Sequence, residues 1–190
     1  QEGAGSIDEL IRQRYPQAWD NLQIPYRDGR LPRVIEAISP GVSLTSLQFS
    51  ATCDSLGVLR PRLSKADRAA AVVRAMRYQG RPYDYSFDFV SDSSLVCTEL
   101  VLKSYLPGER KQGLDLPLER VMGQTLTPAN AFVREFDRTF GSDGQQMDLV
   151  LFLDGQEKEG LAAEADLAAF RSSWQRPKWH ILVQSMKEGE

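Results

Sequence analysis

Apolar and polar positions alternate along this chain in two distinct rhythms, and the switches between them outline the elements. Ser6-Ile7-Asp8-Glu9 has the form of a capping box, in which Ser6 caps a first turn and Glu9 reaches back to its N–H. Leu10, Ile11, Tyr15 and Trp19 continue at helical spacing with Pro16 interrupting, which predicts a short opening helix. Residues 20–32, rich in Pro, Asp, Gly and Arg, read as a loop or weak edge hairpin, because Pro25 cannot donate to a ladder. Arg33-Val34-Ile35-Glu36-Ala37-Ile38 is strand-like and stops at Ser39-Pro40-Gly41, and a second short strand is expected around 42–44. Leu56-Gly57-Val58-Leu59-Arg60-Pro61 predicts a further strand. Ser64 and Asp67 then start a helix with Ala69, Val72, Val73 and Met76 on one face and Gly80 at its end.

The second half repeats the alternation. A helix is expected from Cys97, with Leu100, Val101 and Tyr105 inward and Pro107-Gly108 breaking it, followed by largely irregular chain over 107–126. Thr127-Pro128 reads as a cap followed by Pro at the first helical position, with Phe132, Val133, Phe136 and Phe140 as the buried stripe. Residues 147–153 form an apolar run expected to be a strand at least partly buried on both faces. A last helix is predicted over roughly 161–174 with Leu167, Phe170 and Trp174 inward, and a closing strand over 179–183. Strands with helices grouped between them point to the α+β class.

Composition narrows the function. The chain has 190 residues, 42% apolar and 26% charged, enough for one domain with its own core. A formal charge of -3 and no Lys/Arg cluster interleaved with aromatics argue against a nucleic-acid partner. No apolar run approaches the length of a bilayer span, and no signal segment opens the chain. Two cysteines and one histidine cannot make a four-ligand Cys/His zinc site, although a Cys53–Cys97 bridge is open. Asp84, Asp88 and Asp92 lack the spacing of a calcium loop, so no metal and no cofactor is expected.

The candidate chemistry centres on Leu95-Val96-Cys97-Thr98-Glu99-Leu100-Val101. A thiol opening an amphipathic segment sits in the first turn of a helix, where unpaired N–H groups and the positive dipole end favour the thiolate. A free Cys is equally at home as a small buried hydrophobe. Glu36, between Ile35 and Ala37, can simply face the solvent side of its strand. His180, with Trp179 before it and an apolar run after it, has the setting of a packed or strand-surface histidine.

Four motifs in order add a resemblance: Val34-Ile35-Glu36-Ala37 with Pro40-Gly41-Val42, then Val58-Leu59-Arg60-Pro61, Gly80-Arg81-Pro82-Tyr83-Asp84, and Val96-Cys97-Thr98-Glu99-Leu100-Val101. Together they resemble the YiiX/YebB-like cysteine hydrolases, the circularly permuted branch of the NlpC-type papain-like superfamily. The resemblance covers most of residues 33–106, and the part through Pro177-Lys178-Trp179-His180 looks like a subgroup extension. It implies one papain-like domain over residues 1–190: a small antiparallel sheet packed on a central Cys-bearing helix, with helices added toward the C-terminus. It also implies Cys97 as nucleophile, Glu36 as the residue that orients and charges a histidine, and Tyr83 lining the site. The implied activity is hydrolysis of an amide or ester through a thioester, on a small amide, ester or peptide: a cell-wall peptide or a lipid-linked acyl group. A bacterial envelope or periplasmic location would accompany it. A ligand-binding module using the same cleft without turnover is the alternative.

In one respect the sequence departs from that pattern. The family's histidine strand precedes the Glu strand, and no His precedes Glu36. Three sources remain open: residues 1–32 are an insertion and the histidine strand comes from an upstream segment or a second chain; Asn21 replaces the base; or His180 substitutes for it.

Overall fold

The computed structural model describes residues 6–87, 89, 91–108, 112–121, 123–156 and 161–176. Helix α1 (Ile7–Arg14) begins at the expected capping box, with the Ser6 N–H donating to Glu9 at 2.7 Å and the Glu9 N–H to Ser6 Oγ at 3.3 Å. Pro16 ends that helix and opens another, α2 (Pro16–Asn21), where part of a loop was expected; Pro at a first helical position loses no hydrogen bond. Ile11, Ala18 and Leu22 bury against Val73 and Met76, so both helices dock on the chain's fourth helix.

Strands β1 (Val34–Ile38) and β2 (Gly41–Thr45) pair antiparallel, with Glu36 opposite Ser43. The short helix α3 (Leu47–Ser50), capped by Ser46, leads to β3 (Leu56–Pro61). Ser64 caps α4 (Lys65–Met76) by accepting from the Asp67 N–H at 3.0 Å, and Gly80 closes the following turn at φ +83°, a conformation costly to any residue with a Cβ. Helix α5 (Cys97–Ser104) begins at the nucleophile candidate.

Beyond it the expectations need correcting. Residues 107–126 are not wholly irregular, since β4 (Glu119–Val121) and β5 (Gln124–Leu126) make a hairpin. Helix α6 (Ala129–Thr139) has Pro128 as its cap residue, one position later than the Thr127 expected, while Thr127 is buried and donates to the Pro117 carbonyl. Strand β6 (Met147–Gln156) buries Met147 and Phe152 but leaves Val150 exposed. Residues 161–164 are not helix: β7 (Leu161–Glu164) extends the sheet by pairing with β6, and α7 (Leu167–Ser172) follows, with a 3-10 turn over Ser173–Gln175. Leu167 and Phe140, both expected inside, are exposed; Phe136 and Phe170 carry that core in an edge-to-face contact at 5.2 Å.

Among the described residues the strands form three small antiparallel sheets, β1-β2, β3-β6-β7 and β4-β5, in place of the single sheet expected. The β1-β2 pair meets α4 and α5 through Ala37, Val42, Ala75, Leu95 and Leu100, with Tyr78 completing the cluster. Leu114, Leu116, Phe136, Met147, Phe152 and Phe170 bury between the larger sheet and α6 and α7. Among the described residues no helix is long and apolar enough to cross a membrane. The strand expected at 179–183, and His180 with it, lies outside the described residues, as does Asp88.

Candidate active site

Cys97 is the first residue of α5 and is exposed; Val96 before it is extended and buried. The first intrahelical bond runs from the Leu100 N–H to the Val96 carbonyl at 3.0 Å, so the N–H groups of the first turn point past Cys97 without helical partners. Both cysteines are free, which excludes the Cys53–Cys97 bridge in this structure. Cys53 sits on a turn where its thiol donates to the Ser55 carbonyl at 3.2 Å.

Tyr83 is brought to the sulfur by backbone pairing. The Leu95 N–H donates to the Pro82 carbonyl at 3.1 Å and the Asp84 N–H to the Leu95 carbonyl at 3.2 Å, so 82–84 runs beside the residues that lead into α5. On its other side the strap lies against β2, where the Val42 N–H donates to the Arg81 carbonyl at 2.8 Å. That approach requires Gly41, because a Cβ there would collide with the Arg81 carbonyl. Burial raises the Tyr83 phenol above its ordinary pKa, and the adjacent Cys97 sulfur raises it further through charge and hydrogen bonding. A neutral phenol therefore faces the thiol. Tyr85 packs against Tyr83 at 5.1 Å and donates to Ser39 Oγ at 2.8 Å.

Glu36 and Cys97 line one cavity of about 290 Å³, whose walls are Ile35 and Ala37 of β1, Ala71, Val72 and Ala75 of α4, and Leu100, Val101, Ser104 and Tyr105. The Glu36 carboxylate accepts from Thr45 Oγ1 at 2.5 Å and from Ser50 Oγ at 2.6 Å, both through Oε1. Val101, expected inward, is exposed on the wall of this cavity, while Glu99, Leu100 and Ser104 are the buried residues of α5.

Sequence reasoning passed over the buried ion cluster under the cysteine. Glu99 is 0% exposed; its Oε2 accepts from the Val96 N–H at 3.3 Å and its Oε1 lies 2.8 Å from Lys103 Nζ. Lys103 also donates to Asp92 Oδ1 at 2.5 Å and to the Ser91 carbonyl at 3.0 Å, tying α5 to the 84–95 loop. Burial raises the Glu99 carboxyl pKa, with Lys103 opposing, whereas the hydrogen bond from Lys103 lowers that of Asp92. The Glu-to-Lys spacing of four on a predicted helix was the available signal. Nothing in the sequence flags Thr45 or Ser50.

Asn21 ends α2 and lines a different cavity, with Tyr15, Gln17, Met76 and Gln79, so it does not take the place of a base on a strand beside Cys97. No imidazole lies among the described residues.

A cysteine opening a helix that packs on a small antiparallel sheet, with a tyrosine against the sulfur and a strand carboxylate on the same cavity, is compatible with the papain-like class. A family model described as the permuted papain-like amidase enzyme, YaeF/YiiX, C92 family matches residues 17–151, more than half of the chain, and the chain belongs to that family. No curated protein and no solved structure matches it.

Proposed function

We propose that this chain hydrolyses an amide or ester through a thioester on Cys97. The observation that carries the reading is the exposed thiol at the start of α5, facing a neutral Tyr83 phenol and sharing a cavity with Glu36. An imidazole takes the Sγ proton, and the thiolate attacks the acyl carbonyl. The carbon–nitrogen or carbon–oxygen bond then breaks as the proton passes to the leaving group. Water, deprotonated by the same imidazole, attacks the thioester, releasing the acid and restoring the thiol. First-turn N–H groups and the Tyr83 hydroxyl stabilise the tetrahedral oxyanion. The substrate is a cell-wall peptide or a lipid-linked acyl group, in an envelope setting.

The imidazole arrives on an added strand. Among the described residues β1 pairs only with β2, and the apolar cavity lies beside β1 and Cys97. An open edge of N–H and C=O groups is a template for a further strand. An upstream segment or second chain supplying a histidine strand fits there, with Glu36 fixing the imidazole tautomer. His180 is the competing source.

Release of amine or alcohol from acyl-aminocoumarin and acyl-nitrophenol substrates tests the proposal, with mass spectrometry of the Cys97 peptide. Turnover together with an acyl adduct on Cys97, both lost in Cys97→Ala, is expected. Binding of the same compounds without turnover, at equal affinity in Cys97→Ala, would sink it and favour the ligand-binding module that uses the same cleft.

A further inference from the structure

We propose that the turn over 24–31 together with α3 is a docking surface for an anionic lipid bilayer. Four large apolar side chains stand out here: Ile24 at 60% exposure, Leu31 at 41%, Leu47 at 58% and Phe49 at 41%. Phe49 packs its ring on Tyr26 at 5.0 Å, and the Ser46 hydroxyl, which caps α3, donates to Asp28, so the turn and the helix adjoin at two points. The turn is shaped locally. The Gly29 N–H donates to the Tyr26 carbonyl at 2.8 Å and the Tyr26 N–H to the Arg30 carbonyl at 2.7 Å, with Gly29 at φ +79°.

The charge on this face selects the occupant. The chain as a whole is at -3, yet residues 22–33 carry Arg27, Arg30 and Arg33 against one acid, Asp28, and residues 37–53 carry no charge. Asp28 is already engaged by Ser46 and the Arg30 N–H, and Arg33 is turned inward onto the Leu22 and Pro32 carbonyls. Arg27 and Arg30 remain on the exposed side, the Arg30 guanidinium lying 3.9 Å from Asp28 but 58% exposed. Exposed apolar side chains rimmed by arginines are the composition that settles into the boundary between headgroups and acyl chains of a negatively charged leaflet. Each arginine close to such a surface strengthens binding about fivefold. Ser50, the last residue of α3, holds Glu36, so this surface backs directly onto the carboxylate of the candidate site. Docking there brings lipid-linked acyl groups to the cavity, a consequence that rests on the hydrolase reading; the docking itself does not.

Co-sedimentation with phosphatidylglycerol vesicles and with phosphatidylcholine vesicles, at low and high salt, tests the proposal. Binding to the phosphatidylglycerol vesicles is expected, weakened roughly tenfold or more by Arg27→Glu with Arg30→Glu, by Leu47→Glu with Phe49→Glu, and by salt. Because Phe49 packs on Tyr26, Leu47→Glu alone serves if the double substitution unfolds the chain, with circular dichroism as the check. No binding, equal binding by every variant, or equal binding to both vesicles would overturn it. So would a dimer in sedimentation velocity that Leu47→Glu dissociates, which would assign the face to a second copy. None of these outcomes touches the turnover assay.

Discussion

A thiol at the first position of a helix, with a neutral phenol against its sulfur, is chemically unlike a thiol on an exposed turn, and the chain has one of each in Cys97 and Cys53. Replacing Cys97 by Ala should lower hydrolysis about 10³-fold or more, to the level that binding alone supports. Under the hydrolase reading Tyr83→Phe should lower kcat about tenfold to a hundredfold, because its hydroxyl, hydrogen-bonded to the Cys97 sulfur at rest, is the side-chain donor proposed for the tetrahedral oxyanion. The same phenol gives a spectroscopic test. Its folded pKa lies above the ordinary tyrosine value of about 10, through burial first and the Cys97 sulfur second. Burial raises Tyr105 as well, so tyrosinate absorbance should show two phenols ionising above the others, and Cys97→Ala should move only one of them, Tyr83, part of the way back, leaving its burial contribution. Two high phenols that Cys97→Ala leaves unmoved would separate Tyr83 from the sulfur.

At the scale of elements, the Glu99–Lys103–Asp92 cluster is what ties the helix opened by Cys97 to the loop that follows Tyr83. Lys103→Met leaves the Glu99 carboxylate buried without its counter-ion, and stability should fall by about 3 kcal/mol at neutral pH in denaturant titrations. Glu99 is raised by burial, so its folded pKa exceeds its unfolded one and its contribution is present below the unfolded value and lost as pH rises through the folded value. Without Lys103 that loss deepens, and the variant should weaken as pH rises from the acidic range toward neutrality. Adding Glu99→Gln should remove this pH dependence; an unchanged slope would place the cost elsewhere. Gly41→Ala should cost about 1–3 kcal/mol and lower kcat as well, since β2 then forces the Arg81 carbonyl, and Tyr83 beyond it, to move. Much of this scaffold was legible in the chain. Caps at Ser6 and Ser64, the strand of Glu36 and the helix of Cys97 announce themselves through local hydrogen bonding and periodicity. Leu161-Ala162-Ala163-Glu164 did not, because Ala and Glu favour helix and only the long β6 beside them imposes the strand. Thr45 and Ser50 were invisible for another reason: a hydroxyl has no periodic signature, and their meeting at Glu36 depends on where α3 turns back.

For the whole molecule, the candidate site holds a thiol and a carboxylate on one cavity, with the Tyr83 phenol against the sulfur, and the proposal adds an imidazole on a strand along β1. Asn21 is removed from consideration by its helix and its separate cavity. The need for an added strand comes from the resemblance, whose histidine strand precedes the Glu strand while no His precedes Glu36 here; among the described residues β1 pairs only with β2. In the natural protein, with any sequence preceding Gln1 retained, substitution of an upstream histidine on the added strand should abolish turnover while His180→Ala leaves it intact; the reverse pattern would make His180 the base. The account as a whole is tested most directly by the rates of iodoacetamide alkylation of Cys97 and Cys53 in that protein, compared at neutral pH by peptide mass. Cys97 should be alkylated about tenfold or more faster than Cys53, as a thiol activated at a helix start is; equal rates at the two cysteines would contradict an activated nucleophile at the start of α5.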